Sequence, residues 1–492
     1  MNMACRASLL ARKVEGVALA LAVSFLAIQP VLGQSIRVPW SGFAHTPQHD
    51  GISAVPSQPL NKIKWSAPVV KGVPVGFAHF SGPLVTRSNT VIFPMNLTNT
   101  GYDFKIEAVD GGTGKTNWER PTDFTGLAGA PVVGLALTPK NRLFFAGIGA
   151  TVLYCDSPDA KSRPLFTREA FFGTANYTAH SKLYNSNVFI CTPLTVDRYG
   201  DIFFGYRITG PTPLGSQGGL ARIDYTGKGS WISASNAITV SNSCQPGLNC
   251  APALSIDQKT VYMAFVSSEL EPAYLVAMDS RTLAPKASVR LADPVTGTSP
   301  NVAYSPTSSP TIGPDGDVYF GILGSADSEG WLLHFDGTLS VSKIPGGFGW
   351  DTTDAIVDAS LVPNYSGNSK YLLATKYNMY DSKRYSMALL DPQQGVVSSN
   401  TFINVMATVL SVPSPTGLEW CVNAPAVDPF TKSVLMNNED GNLYRWDITR
   451  NQLTESIGLT AAQSVEAYTP TVIGVDGTVY AINHGYLFAV GQ

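Results

Sequence analysis

The stretch SPTIGPDGDVYFG, residues 309–321, decides the fold, because variants of it recur along the whole chain. Most copies have a small residue, a proline, a short apolar run and a turn, followed by alternating β-branched and aromatic residues. Such a pattern is typical of two strands joined by a hairpin. Eight copies, about 45 to 65 residues apart, begin at residues 82, 130, 192, 251, 309, 359, 424 and 469.

A second phrase follows most copies: an apolar strand that ends in an aspartate and leads into a turn. We interpret it as the third strand of each unit, with the aspartate side chain capping the turn. These aspartates are Asp110, Asp156, Asp224, Asp279, Asp336, Asp391 and Asp447.

Repeats of this length predict an all-β fold, an eight-bladed β-propeller of four-stranded antiparallel blades. The last copy ends at residues 487–490 without a fourth strand, whereas residues 62–69, KIKWSAPV, form a spare strand near the N-terminus. We predict that this strand completes the last blade and closes the ring, which removes unpaired sheet edges. Seven blades are the alternative, because the copy at residue 359 has lost its proline.

Charge and composition restrict the possible functions. The 492 residues include 33 Lys+Arg and 36 Asp+Glu, a net charge of −3 that disfavours nucleic acid as a partner. A hydrophobic content of 44% argues against a disordered chain.

The N-terminus has the features of a signal peptide. Arg6, Arg12 and Lys13 precede an apolar run at residues 17–28, which is short for a membrane span. We expect cleavage after Gly33, with an uncleaved anchor as the alternative. The predicted organisation is a signal peptide at residues 1–33, an entry segment and ring-closing strand at 34–80, and propeller repeats at 81–492. The mature chain should then be periplasmic or extracellular and contain no membrane span.

Five cysteines follow the signal segment. An exported context permits disulfides, and a Pro-Gly turn between Cys244 and Cys250 predicts that these two are paired. The pairing of Cys155, Cys191 and Cys421 stays open. No CxxC or HExxH motif indicates a zinc site.

Residues 108–118, AVDGGTGKTNW, resemble the repeat of quinoprotein-type β-propellers, and residues 40–51 are similar to the entry segment of exported proteins of this group. The resemblance covers about residues 40–492. It implies that Trp118 and Trp231 are core residues that dock neighbouring blades. The group includes quinone-dependent alcohol dehydrogenases, a lipoprotein scaffold of outer-membrane assembly that binds no quinone, and proteins of unknown role.

The resemblance also implies what an enzyme of this group would need. Its dehydrogenases hold the quinone beside an adjacent Cys-Cys disulfide and near a calcium ion. This sequence has no adjacent cysteines and no CxxCH haem motif, so no cofactor is expected. Calcium or pyrroloquinoline quinone is the alternative.

Residues just before the first strand of each blade should lie at one mouth of the central channel. Acidic and aromatic side chains from several units converge there, and this combination suits a cation, calcium or a carbohydrate. The alternative is that they are solvated loop residues and blade-packing aromatics. The repeat alignment also places Asn249 and Ser308 at this mouth. The ligand-binding candidates are His79, Trp350, Asp351, Asp354, Asp358, Glu419, Trp420, Asn423, Glu466 and Tyr468.

We therefore expect an exported, non-catalytic binding or scaffold module. Its partner would be an envelope or extracellular protein, a carbohydrate or a small molecule. The alternative is an enzyme at the acidic mouth: a quinoprotein-like oxidoreductase, or a carbohydrate-active lyase or hydrolase.

Overall fold

The structure is a computed structural model that describes residues 37–72, 81–98, 103–127, 134–238, 244–266, 272–300, 308–324, 330–461 and 469–492. The segment Arg37–Gln492 is one compact unit of eight antiparallel sheets, an eight-bladed β-propeller. The predicted fold is confirmed, and the seven-bladed alternative is wrong. The predicted signal peptide lies outside the described residues.

The described strands, in chain order, belong to eight successive blades. The first strand, β1, belongs to blade 8, and the strands of blade 1 follow β1 in the chain. The strands are β1 Lys62–Pro68; in blade 1 β2 Leu84–Val85, β3 Thr90–Asn96, β4 Phe104–Asp110 and β5 Thr116–Pro121; in blade 2 β6 Ala136–Leu137, β7 Leu143–Ala146, β8 Thr151–Cys155 and β9 Thr167–Ala170; in blade 3 β10 Val188–Ile190, β11 Thr195–Val196, β12 Ile202–Ile208, β13 Gly219–Ile223 and β14 Gly229–Ser233; in blade 4 β15 Gln245–Pro246, β16 Ala253–Leu254, β17 Thr260–Val266, β18 Ala273–Asp279 and β19 Pro285–Arg290; in blade 5 β20 Thr311–Ile312, β21 Val318–Ile322 and β22 Trp331–Phe335; in blade 6 β23 Ala355–Asp358, β24 Tyr371–Met379, β25 Arg384–Val397 and β26 Asn404–Pro413; in blade 7 β27 Ala426–Asp428, β28 Ser433–Asn437, β29 Asn442–Asp447 and β30 Gln452–Gly458; and in blade 8 β31 Val472–Ile473, β32 Val479–Asn483 and β33 Tyr486–Gly491.

Helices are short insertions between these strands. They are α1 Thr174–Asn187, α2 Ala234–Ile238 and the 3-10 turns Ile148–Ala150 and Ala359–Leu361. In the part of the chain that the structure describes, no helix combines the length and the apolar composition of a membrane span.

The N-terminal strand closes the ring, as predicted. β1 pairs antiparallel with β33, with Lys62 opposite Gly491 and Pro68 opposite Tyr486. The last blade thus contains strands from both ends of the described chain. The two ends of the repeat array are held together by backbone hydrogen bonds, and β33 is paired on both sides, with β1 and with β32.

The aspartates that end the third strands cap the turns that follow. Oδ1 of Asp279 accepts a hydrogen bond from the backbone N–H of Thr282 at 2.9 Å. Burial raises the pKa of Asp336, but hydrogen bonds from the Thr338 hydroxyl and the Val341 backbone N–H outweigh it and lower that pKa to about 2. The predicted role is confirmed for six of the seven aspartates, each of which accepts from a backbone N–H of the following turn. Asp156 is the exception, because its Oδ1 accepts from Nε of Arg142 instead.

Tryptophan side chains dock neighbouring blades, and the repeat predicts one of these positions, Trp118. Trp118 is buried, and its Nε1 donates a hydrogen bond at 2.9 Å to the carbonyl of Pro158 in blade 2. Trp65 does the same across the ring closure, where its Nε1 donates to the Gly111 carbonyl at 2.9 Å. Gly114 has a φ of +71°, and a Cβ there would lie 2.7 Å from the Trp65 ring, so this turn requires glycine.

The prediction that Trp231 is a core residue is wrong. Its side chain lies on the outer strand β14 and is 44% exposed. The interface between blades 2 and 3 is already filled by Phe171, a fully buried ring that packs against Phe204 and Tyr206. Trp231 touches only the edge of this cluster, at 5.8 Å from the Phe171 ring.

The entry segment, residues 40–53, passes the inner strands of the blades in order and occupies the channel. It pairs with the first blade through the Trp40 backbone N–H, which donates to the Val85 carbonyl at 3.0 Å. Further along, inner strands donate backbone hydrogen bonds to it, from Leu137 to Ser41, Leu254 to Pro47, Ile312 to Gln48, Ile356 to Asp50 and Val427 to Gly51, at 2.7 to 2.9 Å. One short segment therefore satisfies polar groups from six blades.

His49 is the most enclosed polar side chain of this segment, at 1% exposure. Its Nδ1 lies 2.7 Å from the carbonyl oxygen of Pro310 in blade 5. Burial lowers the pKa of His49 to about 4, although the Pro310 carbonyl and the nearby Asp50 carboxylate favour the charged form. The ring is therefore neutral in the folded protein near pH 7.

We expect Trp65→Ala to lower the free energy of unfolding by about 3–5 kcal/mol, because it removes a buried ring together with its hydrogen bond to the Gly111 carbonyl. The matched variant Trp231→Ala should cost about 1 kcal/mol, since that ring is already half in water. Denaturant unfolding measures both values. Equal losses in the two variants would contradict the docking role of Trp65.

The pKa of His49 predicts acid sensitivity. Between pH 6.5 and about 4 the unfolded chain binds a proton here that the folded chain does not, so stability falls as the pH decreases through this window, by about 3 kcal/mol. His49→Gln should flatten this part of the stability curve, whereas His180→Gln, at an exposed position, should leave it unchanged. Thermal melts across pH 4 to 8 test this, and a His49→Gln curve parallel to that of the wild type would refute it.

Candidate functional site at the channel mouth

One end of the propeller collects most of the predicted site residues. Because strands alternate in direction, the segments before the inner strands and the turns between second and third strands lie at the same end of every blade. We call this end the channel mouth. The entry segment fills the channel below it.

Asp351 and Asp354 are buried there, at 3% and 2% exposure, in the segment before β23. Asn423 is also buried, and its carbonyl accepts a hydrogen bond from the Thr353 backbone at 2.9 Å, which ties blade 6 to blade 7. Trp350 is partly buried, with its ring 5.8 Å from that of Tyr380. His79, Glu466 and Tyr468 lie outside the described residues.

The placement of Asp358 just before an inner strand is wrong. The inner strand of blade 6 is Ala355–Asp358, so Asp358 ends it, at the opposite end from the mouth. The side chain is exposed and accepts a hydrogen bond from the Ser360 backbone at 2.8 Å, capping a 3-10 turn. Residues 355–357, and not residues 359–362 as predicted, therefore form the inner strand of blade 6.

A chain of polar contacts joins blades 4, 5 and 6 at the mouth. The Ala251 backbone N–H donates to Oγ of Ser309 at 2.9 Å, and the Ser309 backbone N–H donates to Oγ1 of Thr353 at 3.1 Å. All three residues are buried or nearly so. These contacts hold the ends of three inner strands in a fixed arrangement.

Beside these paired groups, several buried polar atoms have no hydrogen-bond partner among the described residues. Burying such an atom unpaired costs about 1–3 kcal/mol, so unpaired atoms before the inner strands of three successive blades indicate positions for a ligand or bound water. They are Nδ2 and Oδ1 of Asn249, Oγ of Ser308, Oδ1 of Asp351 and Oδ1 of Asp354.

The two aspartates differ in their surroundings. Burial raises the pKa of Asp354 to about 7, with a hydrogen bond from Thr375 as the opposing influence. Asp354 is therefore partly protonated at neutral pH and can donate as well as accept a hydrogen bond. Asp351 has a φ of +59°, a left-handed conformation that is uncommon outside glycine and that often occurs at functional sites.

A second cluster lies between blades 6 and 7. Sγ of Cys421 is 3.5 Å from Oε1 of Glu419 and 3.3 Å from Oε2 of Glu439. Burial raises the pKa of the Cys421 thiol well above its ordinary value, and the charge of Glu419 adds to the effect. Trp420 is fully buried and meets Tyr444 edge to face, with 5.4 Å between ring centroids.

Two residues of this region were missed by the sequence analysis. Lys376 is 2% exposed in β24, and its Nζ lies 5.9 Å from the centre of the Phe348 ring. Glu439 lies in the turn before β29. A lysine inside the apolar strand YLLATKYNM, residues 371–379, is the signal that could have identified the first.

The predicted disulfide between Cys244 and Cys250 is absent: all five described cysteines are thiols. Cys244 packs with Phe203 and Met263, whereas Cys250 packs with Tyr262 and Phe320. The Pro-Gly turn between the two cysteines therefore sends their side chains into different apolar clusters.

Comparison with solved structures relates this fold to known proteins. A quinohemoprotein alcohol dehydrogenase from Comamonas testosteroni is similar with a TM-score of 0.58 and 11% identity, over 94% of this chain and 82% of that chain. A europium-containing methanol dehydrogenase is similar with a TM-score of 0.55 and 10% identity, over 90% and 89% of the two chains. BamB from Moraxella catarrhalis gives a TM-score of 0.45 at 11% identity, over 88% and 97%.

No protein-family model matches the sequence, and no curated protein matches it. At identities near 10% the structural comparisons establish the fold and leave the activity open. The resemblance of residues 108–118 to the quinoprotein-type repeat is thus confirmed for the architecture: the chain has the eight-bladed propeller fold of the quinoprotein alcohol dehydrogenases.

Proposed function

We propose that this protein is an exported, non-catalytic binding module that holds a carbohydrate or a similar polyol at the channel mouth. The observation that carries the proposal is the group of unpaired buried polar atoms on Asn249, Ser308, Asp351 and Asp354. A ligand that pairs with these atoms recovers the hydrogen bonds that folding leaves unmade.

The mixture of donors and acceptors favours a polyol over a simple cation. The Asn249 amide and the Ser308 hydroxyl each offer a donor and an acceptor, and a protonated Asp354 adds a donor. Closely spaced hydroxyl groups match such a set, since each can both donate and accept. The partly buried Trp350 and Tyr380 rings supply the flat apolar surface that sugar rings commonly contact.

A quinone fits these residues poorly. Pyrroloquinoline quinone carries three carboxylates, whereas the mouth presents the carboxyl groups of Asp351, Asp354, Glu419 and Glu439, with Lys376 as a buried cation nearby. The sequence also lacks the adjacent cysteine pair of the dehydrogenases. The proposal therefore contains no quinone chemistry.

The protein that we propose is exported and can also act as a scaffold for an envelope partner. The signal-like residues 1–33 support export. A channel filled by residues 40–53 leaves the mouth as the route to the buried polar atoms, and the blade edges and rims are available to an envelope partner. Such a partner would recognise the rim with or without the sugar.

A thermal-shift screen of neutral oligosaccharides, with calcium as a separate arm, tests the ligand. A bound ligand at 100 times its Kd should stabilise the fold by about 2.7 kcal/mol. Asn249→Ala should weaken binding at least tenfold, whereas Asn236→Ala, an exposed helix residue, should not change it. A shift with calcium alone, or conversion of a bound sugar to product, would contradict the proposal.

The raised pKa of Asp354 leads to a second prediction. Its pKa is about 7 in the folded chain and about 3.8 when unfolded, so the folded state binds the extra proton and stability falls as the pH rises from about 4 to 7. The wild type should therefore lose about 4 kcal/mol of stability between pH 4 and pH 8 through this group, and Asp354→Asn should not show this loss. The same variant should bind the ligand more weakly. Paired melts at the two pH values measure this. A pH profile identical to that of the wild type would contradict the raised pKa.

A further inference from the structure

The side chains of Glu419, Cys421 and Glu439 form a cluster of potential metal ligands. Their ligand atoms all lie within 4.8 Å of one another. Cys421 is 1% exposed and Glu439 is 8% exposed, so both are largely removed from water. A thiol has one proton to donate, yet two carboxylates approach its sulfur at 3.3 and 3.5 Å.

Unpaired atoms around the cluster show that its polar groups are incompletely satisfied. Oε2 of Glu419 is buried without a hydrogen-bond partner among the described residues, and so is Nδ2 of Asn438, a residue with 0% exposure. Oδ1 of Asn438 accepts from the Cys421 backbone N–H at 3.3 Å, which places this amide against the cluster. Nε1 of the fully buried Trp420 is also unpaired.

We propose that Glu419, Cys421 and Glu439 bind a zinc ion or a similar thiophilic divalent metal. The spacing fits: with Zn–S of about 2.3 Å and Zn–O of about 2.0–2.2 Å at tetrahedral angles, the sulfur and oxygen ligands lie about 3.5 Å apart. A thiolate with two carboxylates favours zinc over calcium or magnesium, which prefer all-oxygen ligands. A fourth position remains for water or an external ligand.

Metal binding also balances the buried charge. The Cys421 thiol loses its proton to solvent when the sulfur–metal bond forms, giving a thiolate beside two carboxylates. Three negative charges then face the two positive charges of zinc and the buried Lys376 cation, whose charge acts on Cys421. The sum is zero, whereas the metal-free cluster keeps two carboxylates close together.

This inference does not depend on the proposed sugar site. The sugar site uses atoms of blades 4 to 6, and its test is a shift with oligosaccharide. Of the metal ligands, Glu419 and Cys421 precede the first strand of blade 7 and Glu439 follows the second. The metal site is tested by measuring metal content. Either proposal can fail while the other holds.

The experiment uses the full chain, stripped with a chelator, reloaded with zinc and dialysed. Mass spectrometry of metal content should give one zinc per wild-type chain, with at least a tenfold loss of affinity in Cys421→Ser and Glu439→Gln. Cys155→Ser, another buried cysteine, should keep its zinc. Circular dichroism checks that each variant is folded.

Cobalt provides a readout that needs no variant to fold. Cobalt-loaded wild type should show a sulfur-to-cobalt charge-transfer band in the near ultraviolet, and an excess of calcium should not remove it. Wild-type protein that retains neither zinc nor this band would overturn the proposal. Zinc content unchanged in both Cys421→Ser and Glu439→Gln would also overturn it.

Discussion

The hydrogen bonds between the entry segment and the inner strands are the interaction on which the rest of the structure depends. Six inner strands have only two residues each, too few to define a sheet edge on their own. Their N–H groups face the channel, where unpaired backbone donors are costly. Four of these short strands, β2, β6, β16 and β20, donate to residues 40–48, and the longer inner strands β23 and β27 donate to Asp50 and Gly51. The same segment then continues into β1, which closes the ring.

Filling the channel in this way decides where a ligand can lie. Residues 40–53 lie against the inner strands of six blades, so the channel mouth is the route by which a ligand would reach buried polar atoms. There the chain keeps an aspartate whose ionisation is opposed by burial, together with amide and hydroxyl groups that lack partners. A site that lowers stability and satisfies no structural need is best understood as one retained for binding.

The repeat pattern predicted the architecture because the spacing of apolar residues within each short stretch shows which side chains are buried. Eight copies, the closing strand at residues 62–69 and the docking role of Trp118 followed from apolar periodicity and from one resemblance. Asp358 was misplaced because two apolar runs, at residues 355–357 and 359–362, compete for the inner position. The prediction for Trp231 was wrong because Phe171, from another segment, already fills the interface between the blades. The prediction of a Cys244–Cys250 disulfide was wrong because the two side chains pack into separate apolar clusters formed by other segments. Cys421 and Glu439 are separated in the chain by β27 and β28, and no sequence motif connects them.

The most direct test of binding at the channel mouth is a crystal structure of the protein in the presence of the oligosaccharide that gives the largest thermal shift, at a resolution that shows ordered water. We expect ligand density in hydrogen-bond contact with at least three of Asn249, Ser308, Asp351 and Asp354. Side chains that turn to pair with one another, or a mouth that holds only isolated waters, would contradict a binding site there.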